Sequence, residues 1–169
     1  MVNTADISPV EKEIWKALEE VMDPEVPVLS VIDLGIVRAV HVEGRAVEVI
    51  ITPTYSGCPA MDVISMQIRI LIRAKHYDPV TIKTVLSPAW TTEWMTDAGK
   101  DKLRSYGIAA PNPKQQVCDN EYFKREEAVQ CPHCLSWHTK MISEFGSTAC
   151  KALYRCENCL EPFDYFKCH

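Results

Sequence analysis

A chain of 169 residues, 47% hydrophobic and 24% charged, has room for one full domain and a smaller second one, and its formal charge of −5 lacks the cationic surplus that nucleic-acid binding draws on. The longest apolar runs, such as residues 47–51, are only of strand length, which excludes a transmembrane helix. Residues 1–6 show no charged start leading into an apolar run and a small-residue cleavage site, so the chain is expected to be cytoplasmic, where reduced cysteines bind metal more readily than they form disulfides.

Ser8-Pro9-Val10-Glu11 is a capping box with proline at the first helical position, and Val10, Ile14, Ala17, Leu18 and Val21 recur at helical spacing. These predict a helix over about residues 9–22, stopped by Asp23-Pro24, with Pro24 and Pro27 keeping the next segment extended. Strands over 36–42 and 45–52 flank the turn residues Glu43-Gly44, with Val47, Val49 and Ile51 on one face. A second helix begins at Pro59, where Met61, Ile64, Ile68, Leu71 and Ile72 line one side. Pro79 opens a third strand carrying Val80, Ile82 and Leu86; after a Trp-rich loop, a last helix over 97–106 ends at Gly107. The order αββαβα describes an α/β sandwich over residues 1–107.

Residues 108–128 have no apolar period and read as a linker. The remainder, 129–169, carries two Cys-x-x-Cys pairs, Cys131/Cys134 and Cys156/Cys159, spaced so that each pair turns two sulfurs toward one ion. Between them, 137–145 and 151–154 are rich in β-branched and aromatic residues around the turn Gly146-Ser147-Thr148, so this module is expected to be a zinc-ribbon β-hairpin. About forty residues cannot bury a self-sufficient core, and a structural zinc on four thiolates is the natural staple; iron would suit the same donors. The ribbon has four basic and four acidic residues and so lacks a cationic surplus, which makes nucleic-acid binding the weaker reading. His133 and His138 flank the first knuckle and could replace a cysteine, but four thiolates already complete the shell, so they read as solvent-facing, while Cys150 and Cys168 are either a second thiol site or small packed residues. Cys118 and His169 carry no assigned role.

In the first domain, Thr52-Pro53-Thr54-Tyr55-Ser56-Gly57-Cys58-Pro59 places a thiol at the positive end of a helix, which should lower its pKa, with nearby hydroxyls to bond a sulfur or an anion. Asp23-Pro24-Glu25 and Asp33-Leu34-Gly35 supply carboxylates that, with Cys58, compose a mixed sulfur and oxygen donor set. Taken alone, Asp33 reads first as a turn residue bonding its own backbone, and the pairing with Cys58 is what favours the ligand reading. Trp90, Trp94, Phe163, Tyr165 and Phe166 read as a partner-binding face or as the contact of ribbon with body.

Asp23-Pro24-Glu25-Val26-Pro27-Val28, Asp33-Leu34-Gly35 and the Cys58 turn together resemble the small α/β domain of the SufT-like metal-sulfur cluster biosynthesis family. Ser87-Pro88-Ala89-Trp90-Thr91-Thr92-Glu93-Trp94-Met95, Phe145-Gly146-Ser147-Thr148-Ala149-Cys150-Lys151 and Glu161-Pro162-Phe163-Asp164-Tyr165-Phe166-Lys167-Cys168 are similar to the PaaD-like accessory proteins of bacterial phenylacetate catabolism. The resemblance implies an accessory factor for iron-sulfur or iron cofactor assembly of the multicomponent phenylacetyl-CoA epoxidase. Its partners would be the reductase and oxygenase components, with no membrane and no nucleic acid, and a homodimer stays open. It also puts the emphasis on Cys58 and Asp33 as residues that transiently hold iron or a nascent cluster; Glu25 is a further candidate, and Thr54 is added from the reading of the turn alone. The chain has neither the paired Glu-x-x-His motifs of a di-iron bundle nor a G-x-G-x-x-G fingerprint, which suits an accessory protein that is not itself catalytic. Two alternatives are a thiol redox or transferase enzyme using Cys58 and a nucleic-acid-binding ribbon.

Overall fold

The structure, a computed structural model, describes residues 8–111 and 129–167. Two compact units divide it: the first holds the chain up to Trp90 with Trp94–Thr96, the second Thr91–Glu93 and the chain from Asp97 onward. No helix among the described residues is long and apolar enough to cross a membrane.

In the first unit, α1 (Pro9–Leu18) starts at the predicted capping box, with the Ser8 N–H donating to Glu11 Oε2 at 2.8 Å and the Glu11 N–H to Ser8 Oγ at 3.2 Å. It ends a turn earlier than its apolar period suggested. Val21 is buried, as the period requires, but its carbonyl accepts the Val31 N–H at 2.9 Å and the Asp23 N–H donates to Leu29 O at 2.8 Å. Those cross-links fold residues 23–29 into a loop pinned at its base, which competes with another helical turn.

Strands β1 (Val37–Glu43) and β2 (Ala46–Ile51) form the expected antiparallel hairpin, with Glu43 opposite Ala46 and Gly44 at φ 61° in the turn. Helix α2 (Ala60–Ala74) then crosses over to β3 (Val80–Thr84), which pairs parallel to β2, giving the order β1-β2-β3. Val47, Val49 and Ile51 of β2 are buried, as are Ile14 and Leu18 of α1 and Ile64, Ile68 and Ile72 of α2, and α1 packs on β1, α2 on β3 and the two helices on each other. Truncating any of these to alanine should cost about 2–5 kcal/mol.

The second unit departs more from expectation. Helix α3 (Asp97–Ser105), read from the sequence as the last element of the first body, groups here because it packs on β4 (Ile108–Ala109). Thus the stretch 108–128, expected as a linker, opens with a strand; its residues 112–128, Cys118 included, lie outside the described residues. Strands β5 (Thr139–Ser143) and β6 (Lys151–Cys156) make the predicted hairpin, and β7 (Pro162–Phe166) adds a strand that no local pattern announced. The sheet order is β4-β7-β6-β5, with β7 parallel to β4 and antiparallel to β6. Its core joins Ala109, Val129, Ala152, Tyr154, Phe163 and Tyr165 to Cys131 and Cys156. Tyr154 stacks on Phe163 at 5.9 Å between centroids and meets Tyr165 edge-on at 5.7 Å.

Candidate metal centre and thiol site

The two knuckles of the second unit are built alike. In each, the N–H of the first cysteine donates five residues ahead, from Cys131 to Ser136 O at 2.9 Å and from Cys156 to Glu161 O at 3.0 Å. In each, the residue after the second cysteine is a leucine at positive φ, Leu135 at 62° and Leu160 at 66°, which turns the chain back across the sulfurs. The N–H groups of Asn158 and Cys159 point at Cys156 Sγ, 3.4 and 3.5 Å away. The four Sγ atoms lie within 4.8 Å of one another, with Cys131 to Cys159 at 3.7 Å and Cys134 to Cys156 at 3.5 Å. A tetrahedron of thiolates at zinc-sulfur distance has edges of about 3.8 Å, so the residues fit a four-coordinate ion without rearrangement.

Their electrostatics call for a cation. Cys156 is lowered to about 6, first by the Cys159 N–H and further by the Asn158 N–H and neighbouring sulfurs. The Glu161 N–H pulls Cys159 down, yet burial and the sulfurs of Cys156, Cys134 and Cys131 together push it up to about 12; burial also raises Cys131. Four sulfurs this close cannot all ionise unaided, and a divalent ion removes the conflict. His133 and His138 are exposed, as expected of residues left out of a complete four-sulfur shell, and the His133 ring lies near Gly107. Among the described residues, the four cysteines form the one cluster of three or more potential metal ligands.

Cys58 lies in the turn entering α2, whose N-cap Pro59 makes no side-chain cap. The expected depression of its pKa is overturned: burial raises it first, the Ala60 N–H lowers it, and the charges of Glu25 and Asp23 raise it again. Helix polarity is outweighed by desolvation and by two carboxylates from the pinned loop. Asp23, not Asp33, is therefore the aspartate felt at the thiol; its Oδ1 accepts the N–H groups of Glu25 and Val26 at 2.7 and 2.8 Å, holding Glu25 in place. The grouping of Asp23-Pro24-Glu25 with Cys58 was legible in the sequence, whereas the Asx turn that holds the loop was not read from it. Thr54 is half-buried in the same turn without a hydrogen bond to Cys58 among the described residues, and Thr52 buries Oγ1 without a partner.

Asp33 is held elsewhere. Its Oδ2 accepts from Ser30 N at 3.0 Å and Ser30 Oγ at 2.9 Å, and its Oδ1 accepts from Thr96 Oγ1 at 3.2 Å. Next to it, Leu34 O accepts the Trp90 indole N–H at 2.8 Å, Gly35 lies against the Trp94 backbone, and Arg38 sits 3.5 Å over the Trp94 ring. The Asp33-Leu34-Gly35 motif thus receives the tryptophan segment. Phe163 and Tyr165 are core residues of the ribbon. Cys150 is buried with the Thr148 hydroxyl 3.0 Å from its sulfur, while Cys168 and His169 lie outside the described residues.

Residues 116–167 match the family described as the PaaD zinc beta ribbon domain, and residues 11–81 match that of iron-sulfur cluster assembly proteins. The chain is 48% identical over 99% of both lengths to a protein of Escherichia coli (strain K12) that is provisionally named as a component of 1,2-phenylacetyl-CoA epoxidase. It is 35% identical over 52% of its length, and 84% of the relative's, to an Fe-S protein maturation auxiliary factor of Porphyromonas gingivalis (strain ATCC BAA-308 / W83). A crystal structure of a domain of unknown function, DUF59, from Bacillus anthracis superposes with TM-score 0.52 at 25% identity, covering 55% of this chain and 90% of that one.

Proposed function

The chain belongs to the PaaD family, that of the Escherichia coli relative, and on that premise we propose that it is an accessory factor supplying an iron or iron-sulfur cofactor to the reductase or oxygenase component of a phenylacetyl-CoA epoxidase. The observation that carries this reading is the opposition at Cys58, where burial first, and then the charges of Glu25 and Asp23, hold a half-buried thiol above its ordinary pKa. Without cargo the thiol keeps its proton. An incoming ferrous ion or nascent cluster, as substrate, neutralises the carboxylates, releases that proton and gains a thiolate ligand, so binding is coupled to proton loss. Thr54 stands in the same turn, and Asp33 positions the tryptophan segment through Thr96.

The four ribbon cysteines are the structural site, where a bound zinc ion would cross-link the two knuckles and supply no redox chemistry. Cys131 and Cys156 would anchor it from the core, with Cys134 on the exposed side. An enzyme using Cys58 as nucleophile fits less well, because catalytic thiols sit where cations lower their pKa.

The test is to co-express Cys58→Ala with the reductase component and measure its iron and acid-labile sulfide. Loss of cofactor from the reductase, with ribbon zinc and helical content of the variant unchanged, supports the proposal. Full cofactor occupancy in that background overturns it.

A further inference from the structure

Helix α2 carries two apolar faces. Ala60, Ile64, Ile68 and Ile72 fill the core, while on the opposite side Val63, Met66 and Ile70 recur at i, i+3 and i+7 and are 39%, 55% and 61% exposed. A helix apolar on both sides ordinarily has something on both. Beside this outer stripe run the exposed charges Asp62, Arg69 and Arg73, the acid toward the N-terminal end and the two bases toward the C-terminal end.

We propose that this face joins two copies of the chain, with α2 packed antiparallel to its equivalent about a two-fold axis at Met66. An isologous interface must be complementary to itself. With the axis at Met66, Asp62 of one copy stands level with Arg69 and Arg73 of the other, and each charged edge meets its own equivalent in reverse order. A parallel pair would instead set this charged edge against the opposite edge of the partner helix, which carries Gln67 and Leu71, so only the antiparallel alignment brings Asp62 level with the arginines, and the helix dipoles favour it too. Arg73 also pairs with Asp78 of its own chain at 3.1 Å, but both side chains are well exposed and such a bridge is weak enough to be shared. Three large side chains per copy make a small interface, which sets the association in the micromolar range, about 1–100 μM.

The inference stands apart from the reading of Cys58. At about 1.5 Å per residue, Cys58 lies some 12 Å along the axis from Met66, so two copies would keep their thiols about 24 Å apart. Each thiol would serve its own cargo.

Sedimentation velocity of the full-length, zinc-loaded chain across about 1–500 μM tests this. A concentration-dependent dimer is expected, weakened at least about tenfold by Met66→Glu, which sets an unpaired charge at the axis. Asp62→Arg alone should weaken it, and Asp62→Arg with Arg69→Asp should restore it to within about threefold. Far-UV circular dichroism and zinc content confirm that each variant is folded. A chain that stays monomeric, a dimer indifferent to Met66→Glu, or a charge swap without rescue overturns the proposal. So does a monomer that gains mass only with the reductase component through Met66, since the face would then belong to another protein.

Discussion

Gly35 and Trp94 touch backbone to backbone, so closely that a methyl group on Gly35 would collide with the Trp94 carbonyl. Gly35 is also at φ 67°, where side chains are strained. Gly35→Ala should therefore cost about 3 kcal/mol or more, through overpacking and backbone strain together. Gly44→Ala is the internal control: its φ is 61°, but nothing lies within 4 Å of the added carbon. It should cost only about 1 kcal/mol, and urea denaturation of the two variants separates the contributions.

Charge at the Cys58 thiol can be changed without touching sulfur. Glu25 raises its pKa, so Glu25→Gln should lower it and increase the thiolate fraction at neutral pH. Peptide-resolved iodoacetamide labelling at pH 7 should speed up by about two- to tenfold at Cys58. An unchanged or slower rate would mean that the carboxylate does not govern the thiol.

Metal uptake by the ribbon should depend on pH with a definite sign. In the metal-free tetrad Cys156, at about 6, is already ionised at neutral pH, whereas Cys131 and Cys159 are raised and keep their protons. Zinc binding then releases about two protons or more, and apparent affinity rises with pH between about 7 and 9. As pH falls through 6, Cys156 takes up a proton too, and affinity should fall more steeply. Chelator competition read across pH 5 to 9 gives this slope directly.

Leu135 and Leu160 turn the knuckles at positive φ while 62% and 59% exposed, so they give up backbone energy with little burial in return. Leu135→Gly or Leu160→Gly should stabilise the zinc-loaded ribbon by about 0.5–1 kcal/mol, seen as a higher Tm at fixed zinc concentration. A lower Tm in both variants would show that the exposed leucines pack in a way the backbone argument ignores.

What could be read beforehand followed the range of each interaction. The Cys-x-x-Cys spacing, the Ser8 capping box, the Glu43-Gly44 turn and the inward face of α2 are local, and all appear as expected. Strand β4 has two residues and β7 opens on Pro162, and both depend on pairing Ile108 with Asp164, far along the chain. The pKa of Cys58 failed for the same reason: its helix end is local, whereas the burial that raises it, and then the charges of Glu25 and Asp23, come from distant parts of the chain. Asp33 carried both readings in the sequence, and its bonds to Ser30 and Thr96 favour the turn.

The last strand in sequence, β7, is not the last in space, because it sits between β4 and β6. On the ribosome, residues 108–109 therefore emerge long before the neighbour they need. Both knuckles are complete in sequence at Glu161, before the aromatic pair that β7 contributes. Metal capture and sheet closure are thus separable, and a chain truncated after Glu161 would hold its ion in a half-walled ribbon.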